Sequence, residues 1–378
     1  MKLTCMQDDL KRGLAAISHA VAGKSATLPV LANVLLATDN GRLKLTATNL
    51  EVGINRWIGA NIAQAGAVAV PAKLLADVVG GLPNDTVTLT LDPKTQTLRV
   101  ECGRFVSNIK GVDADEFPSL PAVNTRAPLV SLPAVLWREA IEQVAFAAAT
   151  DESRPILTGV LVRTRDRQLT LVAADGFRLA MRTIPLAETV AHAVDCLIPA
   201  RMLAELARII GDIEGDVAMV YTPGGSHVLF HTENTEVVSR LIEGRFPDFE
   251  RIIPQQYLTR TVLDSTELAK AVKLASFFAS ASQNVVKLKI EPAGEMGPGR
   301  IVLSANSAEL GDNTSELDGS VTGDGGVIAL NVKFLADAIA AVGSNQIAFE
   351  MQSAQSPAVF KPVGHDGYIH IVMPMSMR

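Results

Sequence analysis

Cysteine is scarce. The 378-residue chain has three, Cys5, Cys102 and Cys196, odd in number and far apart. That excludes a disulfide framework and points to a reducing compartment. No apolar run reaches the roughly 18 residues that cross a bilayer. The opening residues, Met1-Lys-Leu-Thr-Cys-Met-Gln-Asp-Asp9, lack the charged start and apolar centre of a secretory leader. A cytoplasmic protein with no membrane partner is expected. Recognisable catalytic spacing is missing as well. Asp151-Glu-Ser153 has no paired base, and Pro223-Gly-Gly225 lacks the Lys-Ser/Thr of a phosphate loop. His227 and His231 share one face of a strand, but no cysteine or acidic pair completes a zinc site, and His365, Asp366 and His370 are similarly isolated. No catalytic residue, metal or cofactor is expected. The formal charge of −6 excludes a surface that grips nucleic acid all over. Any such contact is confined to a local basic face.

What is present is a repeated phrase. Val70-Pro-Ala-Lys-Leu-Leu-Ala-Asp-Val78 returns as Ile198-Pro-Ala-Arg-Met-Leu-Ala-Glu-Leu206, and more loosely as Leu330-Asn-Val-Lys-Phe-Leu-Ala-Asp-Ala338. The offsets are both roughly 130 residues, about one ordinary domain. After each copy comes a strand-like run, at 86–91, 216–221 and 346–351, leading through a polar turn to another.

The flanking pattern repeats too. The first repeat has a helix over Asp8 to Ala22, with Leu10, Leu14, Ile17 and Val21 at helical spacing. Strands follow at 30–37, 43–48 and 52–62, and Pro71 is expected in the first turn of a second helix. The second repeat has helices over 133–149 and 200–210, and the third over 266–279 and 332–342. Glu116-Phe-Pro118 and Gly244-Arg-Phe-Pro-Asp-Phe249 end the first two repeats. The order helix, strands, helix, strands predicts an α+β fold, an antiparallel sheet with two helices on one face. The expected domains are 1–125, 126–254 and 255–378.

Several segments resemble one family in order along the whole chain: Leu28-Pro-Val-Leu-Ala-Asn33, Leu45-Thr-Ala-Thr-Asn-Leu-Glu51, Val70-Pro-Ala-Lys73, Asp115-Glu-Phe-Pro118, Ala174-Asp-Gly-Phe-Arg-Leu-Ala180, Gly244-Arg-Phe-Pro-Asp-Phe249 and Met373-Pro-Met375. On these the chain is similar to the bacterial DNA polymerase III beta subunit, the sliding-clamp family. The resemblance implies three tandem clamp domains, with sheets outside and two helices per domain lining a central hole. It also implies closure as a head-to-tail homodimer ring. The sizes agree. Six helices packed about 9 Å apart make a circle roughly 17 Å across, too small for a duplex; twelve give roughly 34 Å and a bore of roughly 23 Å.

The resemblance also implies partners and sites. Double-stranded DNA would thread the ring without sequence readout, near Lys24, Lys73, Arg154 and Arg201. Helix cations exceed carboxylates only slightly, so the sequence itself shows no basic stripe. The DNA polymerase III alpha subunit and other proteins with a clamp-binding motif would enter a peptide pocket. Its first half is Leu157, Ala174, Gly176, Phe177, Arg178, Leu179, Pro247, Arg251 and Ile252. Asn331, Phe334, Val372, Met373, Pro374 and Met375 complete it. Methionines near a chain end suit such a site, being flexible and polarizable. Phe105 and Ile109 on one edge would meet Leu274, Phe277 or Phe278 at the dimer junction. A helix cannot bury both members of a Phe-Phe pair on one face, so one is expected to be exposed. A separate clamp loader would open the ring. The function implied is a processivity factor for DNA replication with no catalysis of its own. The alternative is a three-domain hydrolase or carbohydrate-binding protein, which would need an unmatched polar cluster in one domain.

Overall fold

The computed structural model describes residues 1–23, 28–121, 128–211, 213–222, 225–294 and 299–376. Among them are six α-helices: α1 Gln7–Ile17, α2 Ala72–Gly81, α3 Ala134–Val144, α4 Ala200–Ile209, α5 Ser265–Ala279 and α6 Val332–Val342. Each copy of the repeated phrase opens the second helix of its repeat. Pro71 stands one position earlier than expected, as the last strand residue and N-cap of α2, where its extended ψ of 114° suits the entry. In the third copy Asn331 takes that place and accepts the Lys333 N–H at 2.9 Å. Gly343 then ends α6 at φ 64°, which glycine adopts without steric cost. The expected helices over 8–22 and 133–149 are shorter, each closing in a 3₁₀ turn at Ser18–Ala20 and Ala145–Ala147.

The element order repeats three times, with one feature the periodicity missed. A strand precedes the first helix of every repeat: Lys2–Met6, Val130–Pro133 and Thr259–Asp264. These strands are four to six residues long and alternate buried with exposed positions. Their short period-2 signal merges into the helix that follows. Gly311–Asp318 was also missed. It is an eight-residue strand with no buried position, so it carries no apolar alternation.

The chain forms two compact units, residues 1–138 with 205–241, and residues 139–204 with 242–378. The middle repeat therefore contributes to both. In the first unit one sheet runs Asn61–Gln64, Lys2–Met6, Thr86–Asp92, Thr97–Cys102, Phe105–Lys110. The other runs Val130–Pro133, Asp216–Tyr221, His227–His231, Thr235–Arg240, Val52–Gly59, Arg42–Thr48, Asn33–Asp39, Ala67–Pro71. The run expected as one strand over 52–62 thus divides, and its second part pairs Ile62 with Leu3 in the other sheet. Repeats one and two join through Thr235–Arg240 against Val52–Gly59, with Val238 opposite Gly53. The core includes Trp137, fully buried, edge-on to Phe230 and donating to the Val217 carbonyl at 3.0 Å.

The second unit has a nine-stranded sheet in the same order: Ser320–Gly323, Thr259–Asp264, Gln346–Met351, Ala358–Pro362, Tyr368–Val372, Arg178–Pro185, Gln168–Ala174, Gly159–Arg165, Val194–Pro199. Here repeats two and three join, with Leu179 opposite Ile371. A four-stranded sheet, Gly311–Asp318, Arg300–Ser307, Val285–Glu291, Gly326–Asn331, completes the unit. Asp264 starts α5 by accepting the N–H groups of Thr266 and Glu267, both at 2.9 Å.

Candidate partner-peptide groove

The site grows from one hairpin turn of the second unit. Asp175 accepts the N–H groups of Phe177 and Arg178 on one carboxylate oxygen, at 2.8 and 3.0 Å. This side-chain turn bends the chain after Gln168–Ala174. Gly176 sits at φ 94°, and a Cβ there would lie 3.2 Å from the Arg154 guanidinium. Arg154 donates to the Asp175 carbonyl at 2.8 Å. The turn leaves the Phe177 ring 59% exposed.

Beside the turn lies an apolar floor. Leu161, Val172, Leu179, Leu197, Phe246, Phe249, Val359 and Ile371 form one buried cluster. Ile156, Leu157, Ala174, Ile242 and Ile253 cover it while staying partly accessible. The Arg163 guanidinium lies 5.2 Å from the Phe249 ring centre and pairs with Asp195 and Glu250. The last residues close one side. The Met373 N–H donates to the Phe177 carbonyl and the Met375 N–H to the Ala329 carbonyl, each at 2.8 Å. The tail thereby bridges the nine-stranded and four-stranded sheets.

Most of the expected pocket residues collect here, in different roles. Phe177, Ile252 and Met373 are exposed apolar groups. Pro247 and Arg251 are exposed, and Arg251 pairs with Asp248 at 2.8 Å. Pro374 and Met375 are half-buried. Leu179 and Val372 are 2% and 0% exposed; Leu179 belongs to the buried cluster, while Val372, paired with Arg178, lies on the opposite face of the sheet. Asn331 is occupied in capping α6. Phe334 stacks on Arg178, whose guanidinium lies 4.6 Å from its ring centre. Sequence reasoning missed Asp175, Phe246 and Phe249, although the last two stand inside the Gly-Arg-Phe-Pro-Asp-Phe motif.

Burial sets the titration behind the groove. His370 is fully buried, and loss of hydration, helped by the Arg178 charge, pushes its pKa down to about 3. Tyr368, bonded to His370 at 3.2 Å, is raised by the same burial. The Cys5 and Cys196 thiols are pushed up to about 12 by burial, so both stay protonated and unreactive.

Some helix cations are paired and others are not. Arg12 is neutralised by Asp8 and Asp9, and Arg208 by Glu205. Lys73, Arg201 and Lys333 are exposed and make no ion pair among the described residues. They occupy the same position, the second residue of α2, α4 and α6. A cation there opposes the helix dipole, at a cost of about 0.3–1 kcal/mol each. Helix stability therefore does not account for them. Lys24 lies outside the described residues.

Two end strands are notable. Phe105–Lys110 ends the five-stranded sheet and Gly311–Asp318 ends the four-stranded one. On the first, Phe105 and Val106 are 57% and 49% exposed. Ile109, on the same side of the pleat as Phe105, is only 2% exposed and packs in the core of its own unit. On α5, Leu274 and Phe277 are 51% and 60% exposed, while Phe278 is half-buried. The Phe-Phe pair thus divides between two faces.

Three repeats that share sheets across their junctions, each with a free cation opening its second helix, define a clamp-type protein. Family models agree along the chain. Residues 1–121 match the N-terminal domain of the DNA polymerase III beta subunit, 131–248 the central domain and 250–376 the C-terminal domain. The chain is 33% identical to the beta sliding clamp of a Synechocystis species over 100% of both chains. It is 31% identical to that of Staphylococcus aureus over 99% of each. The crystal structure of the Bacillus subtilis DNA polymerase sliding clamp matches at TM-score 0.93 and 27% identity over 100% of both chains. The beta subunit from DNA polymerase of Streptococcus pyogenes matches at 0.92 and 26%, also over 100% of both. The chain belongs to the DNA polymerase III beta subunit family, the bacterial beta sliding clamps.

Proposed function

We propose that this chain is the processivity clamp of chromosomal replication. Two copies close head to tail around duplex DNA, and the groove tethers the polymerase. The observation that carries the reading is the sheet order. The nine-stranded sheet is five strands of one repeat continued by four of its neighbour. The five-stranded and four-stranded sheets are the same two halves, each ending on an open strand where the continuation would begin. Joining Phe105–Lys110 of one copy to Gly311–Asp318 of another completes that sheet and satisfies both edges. The exposed Phe105 and Val106, with Leu274 and Phe277, supply apolar area for the junction.

Lys73, Arg201 and Lys333 fit a helix face that meets phosphates without reading bases. Arg154 would add to it near the hairpin turn. The groove fits a short segment of the DNA polymerase III alpha subunit, or of another protein with a clamp-binding motif. Such a segment would extend along the tail and insert apolar side chains beside Phe177 and Met373. A separate loader complex would open the ring, and the clamp itself would catalyse nothing. The cytoplasm is the proposed compartment, and among the described residues no helix is long and apolar enough to cross a membrane. The test is topological. Loaded on a nicked circular plasmid, the protein stays bound through gel filtration and is lost when the plasmid is cut once. Equal retention, or equal loss, on both forms would refute encirclement.

A further inference from the structure

Arg178 makes more contacts than a residue that only lines a groove requires. Its Nε donates to Asp175 at 3.1 Å and one terminal nitrogen donates to the Phe146 carbonyl at 2.9 Å. The other terminal nitrogen donates to Asp337 on α6. The guanidinium lies 5.3 Å from the Phe146 ring centre and 4.6 Å from that of Phe334. Only 12% of the side chain is accessible. All five planar donors of an arginine have a fixed geometry, so satisfying three partners at once fixes where each one sits.

Those partners belong to different pieces of the groove. Asp175 shapes the turn that presents Phe177. The Phe177 carbonyl in turn holds the Met373 N–H, and so the tail. Asp337 and Phe334 belong to α6, whose cap Asn331 is the last residue of the strand that holds Met375. Both ends of the tail are thus referenced to one side chain. Asp337 itself stays 46% accessible, outside the apolar floor.

We propose that Asp337 is a positioning residue: through Arg178 it fixes the Asp175–Phe177 turn, and with it the Met373–Met375 tail, in the shape that accepts a partner peptide. The inference rests on the groove being the peptide site. An unanchored guanidinium would be free to leave Asp175, and the turn would lose its second carboxylate contact. Peptide binding would then have to order the turn first, which lowers affinity without removing any group the peptide touches.

The full-length protein is titrated with a fluorescein-labelled peptide carrying the clamp-binding segment of the DNA polymerase III alpha subunit. Asp337→Asn keeps size and removes charge, and is expected to weaken binding about tenfold, the scale of one charge-assisted contact. Amide exchange at Phe177, Arg178 and Met373 should quicken in the same variant. Melting temperature and retention on nicked circular DNA should not change. Asp337→Glu, which keeps the carboxylate, should recover most of the affinity. Wild-type affinity and wild-type exchange in Asp337→Asn would overturn the positioning role. Met373→Ala with Met375→Ala separates the two failures. If that double variant binds poorly while Asp337→Asn binds normally, only the strut is wrong. If both bind as wild type, the groove reading has failed and the strut falls with it.

Discussion

The Met373 N–H donates to the Phe177 carbonyl at 2.8 Å, one step beyond the Arg178–Val372 pair that ends the ladder between repeats two and three. The bond carries sheet geometry into a segment outside any strand. It places a flexible thioether beside an exposed aromatic ring. Replacing Met373 and Met375 with alanine should weaken peptide capture about tenfold or more, the loss expected for two apolar anchors at a small site. The dimer should persist in native mass spectra, because the open strand edges lie elsewhere.

The two edge residues Phe105 and Ile109 should behave differently. Phe105→Asp puts a charge on an exposed apolar anchor and should convert dimer to monomer at micromolar concentration in sedimentation, with little change in monomer folding. Ile109→Ala removes a buried side chain and should cost about 2–5 kcal/mol of unfolding free energy. A dimer defect in Ile109→Ala without loss of stability would contradict its placement in the core.

Lys73, Arg201 and Lys333 should act together and without sequence preference. Alanine at all three should leave dimerisation intact and lower the salt dependence of DNA retention. Each lost phosphate contact reduces the slope of log K against log salt by about 0.9. A variant with the wild-type slope would remove these helix starts from the DNA face.

His370 should impose a pH dependence on stability. Its folded pKa lies near 3, below the unfolded value of about 6.5. A neutral buried imidazole therefore contributes fully above about pH 6.5, and that stability is lost as pH falls toward 3. The slope from this one group is about 1.4 kcal/mol per pH unit, since the unfolded chain binds the extra proton. Urea midpoints at pH 7, 6 and 5 should fall more steeply in the wild type than in His370→Gln.

The triplication was legible because the phrase around Lys73, Arg201 and Lys333 combines a helix start with a fixed apolar spacing. The Phe277-Phe278 pair was legible for a similar reason, since two adjacent rings point about 100° apart on a helix. The strands Lys2–Met6 and Val130–Pro133 were not. Each has only two buried residues and takes its order from pairing with Thr86–Asp92 and Asp216–Tyr221, far along the chain. Leu179, Val372 and Ile109 show the same limit at single residues. Their segments were identified, but how deeply each is buried depends on packing against residues distant in the chain.

By itself the sequence determined the three repeats, the α+β pattern and the position of each phrase at a helix start. Spacing along the chain encodes these, because helix and strand periods are local properties. Only the tertiary structure decided that the middle repeat divides between two units, that Phe105–Lys110 and Gly311–Asp318 end their sheets, and that Arg178 joins Asp175 to Asp337. Those features depend on hydrogen bonds and ion pairs between distant residues, such as Arg178 and Asp337, 159 positions apart, which no local period records.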